Sequence, residues 1–380
     1  MIKKTGSYTF KILAISIVCA LSCANGLYKP NTDRTDSLSD RYKDLFHLGA
    51  AINEDIILGK DLQSKNIVTS EFNSITPENS LKWMFLQPFP NKFNFGAADK
   101  YVELGIKNNM HIVGHALVWH NQLADFMKTT GSRSEFKKHV ENHINTVVSR
   151  YKGKIDAWDV VNEAFNENGS LRPSVFKKQM GDNYIEDVFK LAETADPDAD
   201  LIYNDYNLYK PAKRAGVLKM VKKLQENGTK INAIGVQAHW RLNSPSLMEI
   251  EQIILDISDL GVEVMFTELD VTVLPNPWEL VGAEVTQNFS KFEGDPKMDP
   301  YPKALPKSVE KQLAKRYEDI FKLFIKHQDK ISRVTFWGVM DKHSWLNDWP
   351  IKGRTNYPLL FDRNYQPKKA YNKLINLVGN

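Results

Sequence analysis

The sequence has 380 residues and a formal net charge of +4; 42% of it is hydrophobic, 11% aromatic and 25% charged, with 20 Gly and 17 Pro. That composition excludes intrinsic disorder, a fibre and a small disulfide scaffold. It also gives no sign of a polyanion partner. Three of the 50 basic residues, Lys3, Lys4 and Lys11, lie in the first 22 positions, which hold no acid, so 47 face 46 acidic residues in the remainder. No block of five or more Lys and Arg stands elsewhere, so nucleic acid is not expected as a partner.

At the amino end, a basic start is followed by apolar residues 12–20 and then small residues, the pattern of an export signal over residues 1–22. The apolar stretch is shorter than the roughly 18 residues a bilayer span needs. Both cysteines, Cys19 and Cys23, fall in or beside it, so the folded part offers no disulfide and no thiolate metal site. Ala20-Leu21-Ser22-Cys23 resembles the lipobox of bacterial lipoprotein signals, which implies lipidation at Cys23. Residues 23–40, rich in Asn, Asp, Ser and Thr, then read as a solvated tether, and residues 41–380 as the folded domain. The expectation is an exported protein, anchored by lipid at the cell surface or in the periplasm. If the lipobox is not used, both cysteines are inert residues at the signal and the protein is secreted.

Eight apolar segments of strand character follow, at 48–52, 74–77, 112–119, 155–161, 201–206, 234–239, 264–271 and 334–340. Most are continuous apolar runs, which suit parallel strands buried on both faces. Helical patterns separate them at 134–151, 184–195, 212–227, 247–260 and 308–328, and Gly153, Gly228 and Gly261 follow three of these as stops. Eight alternations without a break in composition predict one (β/α)₈ barrel, with an open doubly wound sheet as the alternative.

The unusual polar residues favour the barrel, because they sit at the carboxyl ends of the strands, where barrel enzymes build their sites. They include Glu78 and Asn79, His115 with Trp119, Asn162 with Glu163, Asn204 with Asp205, Gln237 with His239, Glu268 with Asp270, and Trp337. No glycine-rich phosphate loop supports a nucleotide fold. Glu163 ends the fourth strand and Glu268 the seventh, so only closure of the ring brings them together. Two facing carboxyl groups are what glycoside hydrolysis requires: one donates a proton to the leaving oxygen and the other, ionised, supports the anomeric centre.

Seven motifs in order then resemble glycoside hydrolase family 10, the retaining endo-β-1,4-xylanases. They are Pro77-Glu78-Asn79-Ser80-Leu81-Lys82-Trp83, the run from Gly114 to Gln122, Trp158 to Phe165, Tyr203 to Asn207, Gly235 to Trp240, Thr267 to Asp270, and Thr335 to Val339. The resemblance runs from about Phe46 to about Leu377. It implies that Glu163 is the acid/base and Glu268 the nucleophile, that Asn162 bonds the sugar 2-hydroxyl, and that His239 holds Glu268 with help from Asp270. It further implies that Glu78, Asn79, Lys82, His115, Trp119, Gln122 and Gln237 line the glycone side, and that Trp337 and Trp345 wall the sugar at the cleaved bond. The expected substrates are xylan and xylo-oligosaccharides, the expected state a monomer, and no cofactor is implied.

Other readings stand beside this one. A barrel β-glucanase or cellulase of the same clan is the enzymatic alternative, and a glycan-binding protein on an inactivated barrel the non-enzymatic one, though both carboxylates are present. His139 and His143 stand one helical turn apart, but the intervening Glu141 is not where a zinc-protease motif requires it, so a packing pair is expected and no metal site. Residues 272–307, with Pro275, Pro277, Pro296, Pro300, Pro302 and Pro306, form a loop longer than the resemblance leads one to expect, either a binding loop or a decoration away from substrate.

Overall fold

The computed structural model describes residues 37–277, 280 and 286–378, so the signal, Cys23 and most of the tether lie outside the described residues. The strands form one closed parallel ring. β1 (His47–Ile52) pairs with β2 (Ser74–Pro77), and the order continues through β3 (His111–Trp119), β4 (Ala157–Asn162), β5 (Asp200–Asp205), β6 (Ala233–Val236), β7 (Glu263–Thr272) and β8 (Ile331–Phe336). β6 pairs with β7, β7 with β8, and β8 returns to β1. This is the (β/α)₈ barrel, and it excludes the open sheet.

Every barrel strand is buried apart from single residues near its amino end, which explains the continuous apolar runs: one face packs on the helices and the other fills the barrel. Small and medium side chains, Val113, Ala157, Ile202, Ala233 and Met265, form an interior layer. The larger apolar residues occupy the shell between strands and helices. Five outer helices, Arg133–Arg150, Tyr184–Ala195, Pro211–Glu226, Leu247–Ser258 and Lys307–Lys326, fall within a few residues of the expected positions. Their starts are locally encoded: Ser246 and Glu249 form a reciprocal capping box, Ser132 caps the first helix, and Pro211 opens the third.

Two strand ends differ from the sequence reading. The sixth strand stops at Val236; Ala238 takes a left-handed φ of +64°, and the chain resumes as a short strand, His239–Arg241, against the end of β7. β8 stops at Phe336 rather than at Met340, because Gly338 turns the chain at φ +126°. Residues 38–40, read above as the end of a tether, are helical. Ser37 caps the helix Leu38–Tyr42, whose Leu38 N–H donates to Glu71 Oε2 at 3.0 Å and whose Tyr42 hydroxyl donates to Leu374 O at 3.0 Å. Residues 38–40 therefore belong to the folded domain.

The long 272–307 connection is tied to the barrel in its described parts. Arg354 donates to Pro275 O at 2.8 Å, Thr355 N–H donates to Asp299 Oδ1 at 3.1 Å, and the Tyr357 hydroxyl donates to Tyr301 O at 2.8 Å. No helix among the described residues is long and apolar enough to cross a membrane.

Candidate active site

The strand ends converge on a cavity of about 640 Å³ lined by all thirteen residues named above as catalytic or sugar-binding, from Glu78 to Trp345, with Asp270 behind His239. Glu163 and Glu268 are 3% and 5% exposed, so their surroundings rather than water set their protonation.

Glu163 stands at a left-handed φ of +59°, uncommon for a residue with a side chain. The bend is held from both sides: its N–H donates to Asn204 O at 2.9 Å and the Ala164 N–H donates to the Tyr203 hydroxyl at 3.0 Å. Strain fixed by its surroundings in this way is characteristic of functional positions. The carboxyl accepts from Trp119 Nε1 at 2.9 Å and from Gln237 Nε2 at 3.0 Å. Burial pushes it up to about 7, against those two bonds and with added repulsion from Asp205 and Glu268. It therefore keeps its proton to a pH well above the ordinary carboxylate range.

Glu268 is held the other way. Burial raises it, but His239 Nε2 donates to Oε2 at 3.1 Å, Asn204 Nδ2 donates to Oε1 at 2.8 Å, and the charge of His115 adds to both, so its pKa falls below the ordinary carboxylate value. His239 also donates through Nδ1 to Asp270 Oδ2 at 3.0 Å. Burial lowers its pKa, yet the two carboxylates outweigh that and raise it to about 10. It is therefore an imidazolium between two anions.

Asn204 organises the space between the pair. Thr267 Oγ1 donates to its carbonyl at 2.6 Å, which fixes the amide and turns Nδ2 toward Glu268 and toward Asn162 at 2.9 Å. The Asn162 atom that meets this donor has to be its oxygen, so Asn162 Nδ2 faces Glu163 at 3.4 Å. Gly235 makes the room: a Cβ there would stand 2.4 Å from the Asn204 side-chain oxygen. The sequence marked Asn204 as a strand-end residue without a role; its bridging position follows from the register of β4, β5 and β6, which pairs Asn162 with Asn204 and Asn204 with Gly235.

On the glycone side, the buried Lys82 ammonium donates to Gln122 Oε1 at 2.8 Å and Asn79 Oδ1 at 3.2 Å and stands 5.0 Å from the Trp119 ring centre. Burial lowers its pKa and raises that of Glu78, each opposed by the other's charge. His115 donates from Nδ1 to Asp159 Oδ2 at 2.8 Å. The two are register partners on β3 and β4, a contact invisible along the chain. Trp337 sets its plane across the rings of His115 and His239, and Trp345 donates to Asp270 Oδ2 at 2.9 Å while stacking on Trp349 at 4.5 Å.

His139 and His143 have no part in the site. His143 stacks on Trp83 at 3.7 Å with Nδ1 donating to Gln87, and burial pushes it down to about 3. No group of three or more His, Cys, Asp or Glu is placed to hold a metal among the described residues.

Comparison with known proteins agrees with this geometry. The model of glycosyl hydrolase family 10 matches residues 37–377. The chain belongs to that family. Endo-1,4-beta-xylanase A of Xylanibacter ruminicola is 42% identical over 337 residues, 87% of this chain and 90% of its own. A beta-1,4-xylanase of Dictyoglomus thermophilum is 38% identical over 370 residues, 96% of this chain and 98% of its own. Among solved structures, a GH10 endoxylanase from a sugarcane soil metagenome matches with TM-score 0.84 at 45% identity, covering 90% of this chain and 99% of its own. Xylanase 10B of Thermotoga petrophila in complex with xylobiose matches with TM-score 0.79 at 32% identity, covering 90% and 97%.

Among the groups around Glu268, His239 does most to keep it ionised as pH falls. His239→Asn removes the positive charge, so the acid limb of kcat/KM should move to higher pH while the alkaline limb stays. An unmoved acid limb in the pH profile would count against the imidazolium assignment.

Proposed function

We propose that the protein is a retaining endo-β-1,4-xylanase that cleaves internal bonds of xylan through a covalent glycosyl-enzyme intermediate on Glu268. The observation that carries this reading is the opposite protonation of two buried carboxyl groups in one cavity, Glu163 raised to about 7 and Glu268 lowered.

In the first step the Glu268 carboxylate attacks the anomeric carbon, while Glu163 gives its proton to the glycosidic oxygen and the bond to the leaving chain breaks. Esterification removes the charge of Glu268, one cause of the raised Glu163 pKa, so Glu163 becomes a better carboxylate when a base is required. It then takes a proton from water, the hydroxide attacks the same carbon, and Glu268 leaves with its electron pair. Asn162, held by Asn204, is placed to bond the sugar 2-hydroxyl, a contact that strengthens as positive charge develops on the ring.

Trp337 and Trp345 narrow the cavity where the cleaved sugar would sit. Xylose lacks the hydroxymethyl group that glucose carries at C5, so this wall favours xylose chains. One such group is worth about 10- to 200-fold. kcat/KM on xylohexaose should exceed that on cellohexaose by at least about tenfold; equal values would favour the glucanase reading, and binding without release of reducing sugar the non-catalytic one. A polymeric substrate suits an exported enzyme, and retention by lipid at Cys23 completes the reading. A single acyl chain holds only marginally, so multiple chains are required. Cys23→Ala should release the protein from the membrane fraction, and a wild type already soluble outside the cell would remove the anchor.

A further inference from the structure

A second cavity, of about 800 Å³, adjoins the catalytic one and shares His239 with it. It lies among the ends of β5, β6 and β7, across the two carboxylates from Glu78, Asn79 and Lys82, and so faces the leaving part of the chain. Its walls include Tyr206, Tyr209 and Trp349, and residue Asn276 of the long loop.

The charges of this cavity are uneven. Its lining carboxylate, Asp270, is fully buried and already accepts from His239 and Trp345. Lys210 is paired with Glu167, and Glu167 also meets Lys213 at 3.5 Å. Glu249, on the neighbouring helix, accepts from Ser246 N–H at 2.7 Å and from its hydroxyl at 2.8 Å. Arg241 alone lines the cavity as a guanidinium with no ion-pair partner among the described residues. It follows His239 by two residues on the short strand, and residues two apart on a strand face the same way. The strand thus directs Arg241 to the side on which His239 meets the reacting centre. Tyr209 lines the same cavity; burial raises its phenol, which the charges of Lys210 and Arg241 oppose and those of Glu167 and Glu249 reinforce.

We propose that Arg241 receives the carboxylate of a uronic acid side group on the leaving part of the xylan chain, making the enzyme selective for acidic over neutral decoration. The inference rests on the xylanase reading and deepens it. A guanidinium presents two parallel N–H groups to a carboxylate, which a neutral sugar branch cannot match. The neighbouring tyrosine supplies a further donor.

The test compares kcat/KM on three substrates: undecorated xylohexaose, xylo-oligosaccharides bearing a uronic acid branch, and the same oligosaccharides after chemical reduction of the carboxyl to a hydroxymethyl. The wild type should lose about tenfold when the carboxyl is reduced. Arg241→Gln should lose about tenfold on the acidic substrate and less than about twofold on the other two, and Arg241→Lys should recover part of the loss. Raising the salt to about 0.5 M should shrink the wild-type preference. The proposal is overturned if the wild type treats acidic and reduced substrates alike, or if Arg241→Gln lowers all three equally. Failure of the wild type to cleave xylohexaose would instead remove the xylanase reading itself.

Discussion

Glu268→Ala should abolish turnover on every substrate, polymer or activated aryl xyloside alike, by on the order of 10⁵-fold or more, the scale reached when a catalytic nucleophile is removed. Neither formation of the glycosyl-enzyme nor its hydrolysis proceeds normally without that carboxylate. The loss should be in kcat. Because Glu268 also accepts from His239 and Asn204, Glu268→Gln serves as the variant that keeps the packing; it should be equally inactive. Appreciable turnover of an aryl xyloside by either variant would contradict the role of Glu268.

Glu163→Ala should fail differently. A leaving group that needs no proton can still depart, so an aryl xyloside with a good leaving group should give a burst of phenol and then stall, because no base activates water. Xylan, whose leaving oxygen needs the proton, should be hydrolysed about 10² to 10⁴ times more slowly. Azide, small enough for the vacated space, should attack the intermediate and restore turnover, giving a β-glycosyl azide through two inversions. The wild-type alkaline limb, set by loss of the Glu163 proton near pH 7, should disappear from kcat/KM on that activated substrate. Absence of both burst and azide product would contradict the role of Glu163.

Much of this site was legible before the fold, for a physical reason. In a parallel barrel the catalytic side chains stand at strand ends, where a buried apolar run meets unexpected polar residues, and that transition is visible in one dimension. Glu163 after Val161-Asn162 and Glu268 within Phe266-Thr267-Glu268 were found in this way. What was not legible depends on register. The partner of His115 is Asp159 and the bridge between Asn162 and Glu268 is Asn204, contacts made across neighbouring strands that nothing local announces. The sixth strand misled because Gln237-Ala238-His239 continues a mixed apolar pattern, whereas the left-handed Ala238 breaks it and turns His239 onto Glu268. The first helix was missed because five residues carry too little periodicity to separate from a polar tether.

The account's central claim, two successive displacements at one carbon with Glu268 as nucleophile, is tested most directly by the configuration of the first sugar released. Proton NMR of xylohexaose hydrolysis, recorded before mutarotation, should show the β anomer appearing first and the α anomer only later. An α product at the earliest time would mean a single inverting displacement, and the assignment of Glu268 as nucleophile would have to be abandoned.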